Sequence, residues 1–397
     1  CEFFEPKRYT AMQPWHEAEG AAFEDVGQWK RPWYFPRGDE TLQAAVRREC
    51  LAVRQRVGIL DASTLGKIDI QGPDAREFLN RIYTNAWLKL APGKCRYGLM
   101  CSEDGMVMDD GVTACLAPNH FLMTTTTGGA ARVLQWLELW HQTEWPELKV
   151  FFNSVTDHWA TITLSGPESR SLLAPLTDID LSPTDFAFMD WRAGLVCGLP
   201  ARVFRISFTG ELTYEINVNA NDGLALWQAL MAAGAEVDLT PYGTETMHVL
   251  RAEKGFVIVG QDTDGSVTPE DLGMGWAVAK RKKFSFVGQR GMMRADCLRG
   301  QRKQFVGLSP LNPSCVLPEG SQIVFARPQS LPADMVGHVT SSYDSPVLGR
   351  SFALALVKGG LDRHGEIVEV SVGPDRWEKA ELRSPIFYDP EGARQHV

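Results

Sequence analysis

The sequence lacks several patterns that mark common classes of protein. No stretch approaches the roughly 18 uninterrupted apolar residues of a membrane span, and no basic segment followed by an apolar run opens the chain. No Gly-x-Gly-x-x-Gly motif follows a strand pattern, and no His-x-x-x-His or other metal-ligand spacing occurs. We therefore expect a soluble protein that is not exported, with no metal site and with no dinucleotide held in a Rossmann turn of this chain.

Paired cysteines and an excess of positive charge are also missing. The eight cysteines are Cys1, Cys50, Cys95, Cys101, Cys115, Cys197, Cys297 and Cys315. They include no Cys-x-x-Cys pair, which fits reduced thiols in the cytoplasm better than a disulfide framework. The formal net charge of −9 would repel nucleic acid and anionic membranes, so we expect neither as a partner.

What the sequence does contain is enough apolar residues for a sizeable core. At 397 residues and 44% apolar content, two or three structural units are expected. The sequence opens at Cys1 rather than methionine, which indicates a processed product or part of a longer chain. Residues 1–40 are rich in Trp, Pro and charge without a sustained period, so we expect an extended arm there. Its aromatic side chains should be buried, and we expect them to pack against the chain's own core rather than against a partner subunit.

A strand–Gly-Pro-acid–helix pattern occurs twice between residues 41 and 300. Residues 67–71 alternate like a strand and lead through Gly72-Pro73-Asp74 into an apolar helix pattern, and residues 160–165 do the same through Gly166-Pro167-Glu168. Proline suits the first helical turn, and the acidic residue complements the helix dipole. The repeat predicts two related α+β halves that face each other across a cleft, although this helix start also arises by chance.

The pattern changes near residue 301 to short strands separated by turn clusters. Many short strands at even spacing are typical of a small antiparallel barrel or sandwich, which we expect over residues 301–397. The predicted strands cover residues 304–308, 322–326, 336–341, 351–357, 367–372 and 379–383.

The clearest candidate for chemistry is a predicted β-hairpin over residues 97–115. Ser-Glu-Asp-Gly at 102–105 is a strong turn signal, and Asp109 and Asp110 follow on the return strand. Because successive side chains point to opposite faces, only one of the two can enter a given pocket. Among apolar neighbours it could be desolvated enough to accept a proton or hold a cationic amine. Taken alone, these residues favour the simpler interpretation of a carboxylate in solvent or capping a turn.

Two further features could contribute to a ligand site. Residues 207–215 contain another tight turn, after which the strand resumes with Glu215. Its carboxylate could recognise the amide and amine edge of a planar heterocycle, or it could lie on the surface. The basic run Lys-Arg-Lys-Lys at 280–283 could receive a ligand carboxylate, but such runs are more typical of a solvated face.

The order of these landmarks resembles the glycine-cleavage T-protein (aminomethyltransferase) family. The series is Gly72-Pro73, Tyr97-Gly98-Leu99-Met100, the segment from Asp104-Gly105 to Asp109-Asp110, Thr209-Gly210-Glu211 with Glu215, and Gly260-Gln261-Asp262. Longer runs are similar to the C-terminal half of the α subunit of heterotetrameric sarcosine oxidase. These runs lie at residues 27–34, 83–87, 124–129 and 241–255.

This resemblance implies a fold and a set of site residues. The fold is a three-domain α+β cloverleaf, with two related α+β units around a folate channel (residues 41–300) and a C-terminal antiparallel β-barrel (residues 301–397). The implied cofactor is tetrahydrofolate. Asp110 takes the position of the family's catalytic aspartate beside folate N5 and N10, and Glu215 matches the glutamate that holds the pterin. Leu65 and Tyr97 are implied to line the pocket.

The resemblance also implies an activity and partners. The chain would be the one-carbon-transfer module of a sarcosine oxidase-like complex with a flavin-containing β subunit and small subunits. FAD, FMN and NAD are expected in those subunits or in a missing N-terminal half, and none in this chain. A methylene iminium or formaldehyde from oxidation of an N-methyl amine would be trapped here as 5,10-methylenetetrahydrofolate.

Two departures from the family pattern bear on the methylene donor. The tyrosine of the family's Gly-Tyr-Thr-Gly is Phe208 here, and its Gly-Ala-Arg-Asp segment is Gly-Thr-Glu-Thr at residues 243–246. The missing arginine argues against an aminomethyl-lipoyl carrier as the donor. Two alternatives stay open: a free-standing aminomethyltransferase or folate-dependent demethylase, and a folate-fold scaffold subunit that no longer catalyses.

Overall fold

The computed structural model describes residues 7–328, 330 and 332–397, so Cys1 and the first residues of the expected arm lie outside it. The α-helices are α1 Gln13–Ala18, α2 Leu42–Gln55, α3 Ala75–Ile82, α4 Ala130–Thr143, α5 Ser169–Leu173, α6 Gly223–Ala233 and α7 Thr244–Glu253. The strands are β1 Ala22–Val26, β2 Trp29–Tyr34, β3 Gly58–Asp61, β4 Gly66–Gln71, β5 Cys95–Cys101, β6 Val107–Ala117, β7 His120–Thr125, β8 Phe151–Ser154, β9 Trp159–Ser165, β10 Trp191–Val196, β11 Leu199–Phe204, β12 Thr213–Asn219, β13 Thr240–Pro241, β14 Lys303–Pro310, β15 Gln322–Val324, β16 Gly337–Ser345, β17 Arg350–Lys358, β18 Ile367–Gly373 and β19 Arg376–Arg383.

Two sheets form the central part of the molecule, and they share one strand plan. Their orders are β5-β6-β7-β4-β8 and β10-β11-β12-β9-β3-β13. In each sheet a first strand (β4 or β9) is followed by a helix and then by three antiparallel strands, the last of which pairs with the first. Strand β3 precedes β4 in the chain but pairs with β9 of the second sheet, in the place that β8 takes beside β4. The two related α+β halves expected from the sequence are therefore confirmed.

The two Gly-Pro turns have the same geometry. Gly72 and Gly166 have φ values of 135° and 130°, a region that side chains with a Cβ rarely adopt. In each turn the glycine carbonyl accepts a hydrogen bond from the amide three residues on, that of Ala75 (3.1 Å) or Ser169 (3.0 Å). A Cβ on Gly72 would lie against the carbonyl oxygen of Lys149, inside contact distance. Both glycines are thus required by the backbone path from strand to helix.

Alternation along β4 separates the core from the cleft. Ile68 and Ile70 are buried and pack with Phe78 and Leu79 of α3 in one hydrophobic cluster. The side chain of Lys67 points to the opposite face, because strand residues alternate. Strand β4 therefore contributes apolar side chains to the core on one face and a polar side chain to the wall of the cleft on the other.

The N-terminal segment differs from the extended arm expected over residues 1–40. It contains the short helix α1 and the β1–β2 hairpin, in which Val26 pairs with Trp29 across a two-residue loop. Gly27 in that loop has a φ of 58°, which suits a tight hairpin turn. Trp29 and Phe35 are buried by this chain. The hairpin was missed because Pro32 and the charged residues obscure the alternation of its short strands.

The C-terminal region is a closed six-stranded barrel with the order β14-β17-β16-β15-β18-β19. Strand β14 closes it by pairing with both β17 and β19. All six predicted strands are present, and the barrel expected from their spacing is confirmed. Among the residues that the structure describes, no helix combines the length and the apolar character needed to span a membrane.

We predict that Gly72→Ala lowers the stability of the protein. The φ of 135° alone costs an alanine about 1–3 kcal/mol, and the clash with the Lys149 carbonyl adds to this. The measurement is the midpoint of urea or thermal unfolding.

Gly198→Ala is the matched control for this prediction. Gly198 also has a positive φ of 80°, but a Cβ there would meet open space. Its midpoint should fall by less than that of Gly72→Ala. Equal losses for the two variants would contradict the steric part of the argument.

Candidate active site

The paired register of β5 and β6 directs the two neighbouring aspartates to opposite faces. Asp110 lies opposite Leu99, and Asp109 lies opposite Met100. Asp109 is only 2% exposed, and it accepts hydrogen bonds from the amide (3.2 Å) and hydroxyl (3.1 Å) of Thr126, just before α4. The oxygen that accepts from the hydroxyl, Oδ2, lies so close to Gly129 that a Cβ there would overlap it. Asp109 therefore anchors β6 to the start of α4.

Asp110 faces the cleft between the two central sheets. It shares a strand face with Val112 and Ala114, which line the cavity there. The hydroxyl of Tyr97 donates a hydrogen bond of 2.7 Å to Asp110 Oδ2. Burial raises the pKa of Asp110 to about 7; the Tyr97 hydrogen bond acts against this, and the charge of Asp109 reinforces it. At neutral pH this carboxyl can both accept and release a proton.

A glycine and a threonine shape the strand beside Asp110. A Cβ on Gly111 would overlap the carbonyl oxygen of Thr124, so only glycine allows this approach of β6 to β7. The Thr124 hydroxyl accepts a hydrogen bond from the Val112 amide (3.0 Å) and donates one to the Val112 carbonyl (2.9 Å). The regular pairing with β7 begins only at Thr113. The backbone of β6 at Gly111 thus lies against Thr124 without regular strand pairing.

The cavity lies between the faces of the two sheets. Its lining residues come from β4, β6, β7 and the connection before β4 on one side and from β9, β11, β12 and the loop after β11 on the other. They are Leu65, Lys67, Val112, Ala114, Leu122, Thr124, Thr161, Phe204, Ile206, Glu215 and Asn217. Six of these eleven residues are apolar, and the five polar ones include one cation and one carboxylate.

Lys67 and Glu215 are the charged groups of this cavity. Lys67 is 1% exposed, and its ammonium donates to the carbonyls of Ser63 (2.9 Å) and Leu65 (3.0 Å). Burial lowers the pKa of Lys67 to about 8 and raises that of Glu215 to about 7, while the attraction between the two charges opposes both shifts. No ion pair joins them within the described part of the chain, so each charge remains available to a ligand.

The structure brings the four predicted site residues to one cleft. Leu65 and Glu215 line the cavity, and Tyr97 and Asp110 lie on the adjoining stretch of β5 and β6. Their roles in binding and catalysis stay predictions. Lys67 was missed by the sequence analysis, although the alternation of β4 already separates it from Ile68 and Ile70.

Two family models match the chain. The model described as "GCVT N-terminal domain" covers residues 12–282, and "Glycine cleavage T-protein C-terminal barrel domain" covers residues 303–389. The chain belongs to the glycine cleavage T-protein family. The expected division at residues 40 and 300 stays a prediction.

Several curated proteins are similar to this T-protein family member. It is 54% identical to the sarcosine oxidase subunit alpha of Corynebacterium sp. (strain U-96), over 99% of this chain and 41% of the relative. The same subunit of Rhizobium meliloti (strain 1021) is 43% identical over 99% of this chain and 40% of the relative. The chain thus spans about two fifths of the length of these relatives.

A second group of relatives matches over nearly its full length. The aminomethyltransferase of Geobacillus kaustophilus (strain HTA426) is 32% identical over 93% of this chain and 95% of the relative. The solved structure of the glycine cleavage system aminomethyltransferase T from Bartonella henselae aligns with a TM-score of 0.83. It covers 96% of this chain and 98% of its own at 23% identity, which shows that the fold is shared.

The departures from the T-protein pattern have structural partners here. In the segment at residues 243–246, the Gly243 amide (3.0 Å) and the Thr246 hydroxyl (2.6 Å) donate to Glu49 of α2. The Thr244 hydroxyl donates to Glu24 of β1 (2.6 Å). Phe208 stacks on Phe256 with ring centroids 6.1 Å apart. The segment that lacks the family's arginine therefore fastens the N-terminal hairpin to α2.

We predict that Lys67→Met raises the pKa of Glu215 above its value of about 7, because the cation that favours the ionised carboxylate is removed. The measurement is a pH titration of the glutamate side-chain carboxyl signals by ¹³C NMR, with Glu215→Gln to assign the resonance.

The control for this titration is Lys358→Met, which removes an exposed lysine from barrel strand β17. It should leave the titration of Glu215 as it is. A pKa of Glu215 that stays unchanged or falls in Lys67→Met would show that the two charges do not interact.

Proposed function

We propose that the chain is the tetrahydrofolate-binding, one-carbon-transfer part of a sarcosine oxidase-like complex. The observation that carries this proposal is the environment of Asp110. Its carboxyl has a pKa raised to about 7, holds one hydrogen bond from Tyr97, and faces a mostly apolar cleft whose far wall presents Glu215. A carboxyl that titrates near neutral pH is suited to general acid–base chemistry.

The residues of the cleft fit a folate. A pterin is a flat ring with amide and amine donors on one edge, which a carboxylate such as that of Glu215 can accept. Leu65, Val112 and Phe204 supply apolar surface for the ring faces. Lys67 keeps a positive charge beside Glu215 and so favours its ionised, accepting form. This arrangement supports binding of the pterin with its edge toward β12.

Asp110 would accept a proton and later return it during the transfer. When bound, tetrahydrofolate supplies two amine nitrogens that take up the methylene carbon of the iminium, giving 5,10-methylenetetrahydrofolate. Forming these two carbon–nitrogen bonds releases two protons, and the departing amine takes up two, so a group that accepts and returns a proton is needed. The Asp110 carboxylate accepts from the amine that attacks and later donates to the amine that leaves.

The similarity of this chain to sarcosine oxidase α subunits supports its assembly with flavin-containing subunits. The relatives with 54% and 43% identity are sarcosine oxidase α subunits. We infer that oxidation occurs elsewhere in such a complex, in a flavin-containing β subunit, and that this chain takes up the methylene unit. The replacement of the family's arginine by the segment at 243–246 favours a small iminium over a lipoyl-bound donor.

A free-standing aminomethyltransferase is the second candidate. The Geobacillus relative matches over 95% of its own length and so lacks room for a large flavin-binding portion. Assays of this chain alone and of the chain with flavin subunits distinguish the two functions. Isothermal titration with tetrahydrofolate tests a third possibility, a scaffold subunit, which would not bind.

We predict that Asp110→Asn lowers the rate of 5,10-methylenetetrahydrofolate formation in the assembled complex by roughly 10²- to 10⁴-fold, the usual contribution of a general base. Tetrahydrofolate binding, measured by isothermal titration, should persist, because the variant keeps the shape of the side chain.

Asp104→Asn is the matched control, since Asp104 lies in the turn of the same hairpin with a side chain 70% exposed. It should leave the rate unchanged. An Asp110→Asn enzyme that retains the wild-type rate would remove Asp110 from the mechanism.

The rate of transfer is expected to rise with pH through about 7, because the ionised form of Asp110 accepts the proton. Tyr97→Phe removes the hydrogen bond that favours this form, so its profile should move to higher pH. The measurement is a pH profile of the single-turnover rate for both proteins. A shift to lower pH would mean that another group controls the rate.

A further inference from the structure

Asp109 is a buried carboxylate that takes no part in the reaction proposed above. Its side chain points away from the cleft, opposite to that of Asp110, so it cannot contact a ligand bound there. It is 2% exposed, and burial raises its pKa to about 6. A carboxylate is costly to keep in the interior, and one of the groups that stabilise this carboxylate belongs to Asp110.

Asp109 holds the backbone that carries Asp110. Its Oδ1 accepts a hydrogen bond from the Asp110 amide (2.8 Å) and another from the Thr126 amide (3.2 Å). Its Oδ2 accepts from the Thr126 hydroxyl (3.1 Å), and that hydroxyl accepts from the Gly129 amide (3.0 Å). The turn before α4 therefore fixes the Asp109 carboxylate, and this carboxylate fixes the amide of Asp110.

The charges of the two carboxylates interact across a single strand. Asp109 lies in the interior and Asp110 in an enclosed cleft, so solvent screens the two charges little. Asp109 titrates at the lower pH, about 6 against about 7 for the pKa of Asp110. Asp109 is therefore ionised when Asp110 titrates, and its negative charge opposes the second ionisation.

The other titratable and charged groups around this pair keep their charge near neutral pH. Tyr97 on β5 and Tyr83 in the connection after α3 both lie near the two carboxylates, and burial raises the pKa of each phenol above its usual range. Arg132 of α4 carries a fixed positive charge that attracts Asp109. Within this described cluster, Asp109 is thus the neighbour whose ionisation can set the proton affinity of Asp110.

We propose that Asp109 is a positioning residue for the transfer: it orients Asp110 through the Asp110 amide and, by its negative charge, strengthens Asp110 as a proton acceptor. The inference rests on the proposed function, in which Asp110 is the general base. A stronger base accepts a proton more readily, and a base that titrates near neutral pH is still partly ionised there. The pair thus consists of one residue that exchanges the proton and one that sets the affinity for it.

Asp109→Asn separates the charge of this side chain from its shape. The amide oxygen of the variant can still accept from the amides of Asp110 and Thr126, and its nitrogen can donate to the Thr126 hydroxyl. Removal of the negative charge should lower the pKa of Asp110 by about one pH unit. The measurement is a pH titration of the aspartate carboxyl signals by ¹³C NMR on the full chain, with Asp110→Asn to assign the resonance.

The single-turnover rate of the assembled complex should show the same effect of charge. Its rise with pH should move to lower pH in Asp109→Asn, opposite to the move expected for Tyr97→Phe. The rate at high pH should fall roughly two- to fivefold, because Asp110 becomes a weaker base. A merely structural role would lower the rate at every pH and leave the midpoint unchanged. Asp104→Asn, which removes an exposed carboxylate from the turn of the same hairpin, should change neither the titration nor the profile.

The two measurements separate this inference from the function on which it rests. If the titration of Asp110 does not move to lower pH in Asp109→Asn, or if Asp104→Asn moves it equally, the inference is overturned and the proposed function is unaffected. If the titration moves but the rate profile does not, Asp110 is not the base, and the proposed function is overturned as well.

Thermal unfolding shows whether Asp109→Asn is folded, and the wild type supplies the test if it is not. The carboxyl signal of Asp110 in the wild type should show a main step near pH 7 and a smaller step near pH 6, where Asp109 ionises. A single step near pH 7 would overturn the inference, since the two carboxylates would then titrate independently.

Discussion

Desolvation of charged groups between two facing sheets governs the chemistry of this protein. Asp110, Glu215 and Lys67 each keep few polar contacts and lose most of their water, and burial moves their pKa values to between about 7 and 8. A cleft of this kind holds groups that exchange protons near neutral pH. The sheet architecture, the glycine turns and the anchoring of Asp109 all serve to bring these groups to the same enclosed space.

A buried ionic network holds the walls of the cleft in place. Arg54 of α2 donates to Glu211 (2.9 Å) and to Glu253 (2.6 Å), and Glu253 accepts from Ser345 of the barrel (2.6 Å). Arg394, near the end of the described chain, also donates to Glu211 (2.7 Å). Because each charge is paired, the network ties the second half, α7 and the barrel together without an isolated buried ion. The transfer proposed above would depend on the position of a labile iminium, and rigid walls would favour it.

Much of the fold could be predicted from local patterns. The Asp-Gly turn located the hairpin of Asp110, the repeated Gly-Pro turns located the two halves, and the evenly spaced strands located the barrel. These features depend on neighbours in sequence, such as the turn at Gly105 or the alternation that separates Lys67 from Ile68. The choice between Asp109 and Asp110 did not follow from the residues alone. It depends on Thr126 and Gly129, which reach Asp109 only when the turn before α4 folds against β6.

Contacts between distant segments account for what the sequence analysis missed. Trp33 of the N-terminal hairpin donates to Glu245 of α7 (2.9 Å), and no local pattern indicates such a partner. The charge of Lys67 is significant only because β12 places Glu215 across the cavity. In both cases tertiary contacts set the environment of the side chain. The local sequence indicates only which face of the strand the side chain points to.

The exchange of strand β3 has a mechanical consequence. Residues 62–65 leave the second sheet after β3 and cross to β4 of the first, so the connection spans the cleft and carries Leu65 into its wall. Two duplicated halves joined by one flexible linker could move apart as rigid bodies. Here β3, which leads into the first half, pairs with β9 of the second sheet, so separating the halves would break the backbone hydrogen bonds between these two strands. A ligand therefore meets a cleft whose two walls already hold fixed relative positions.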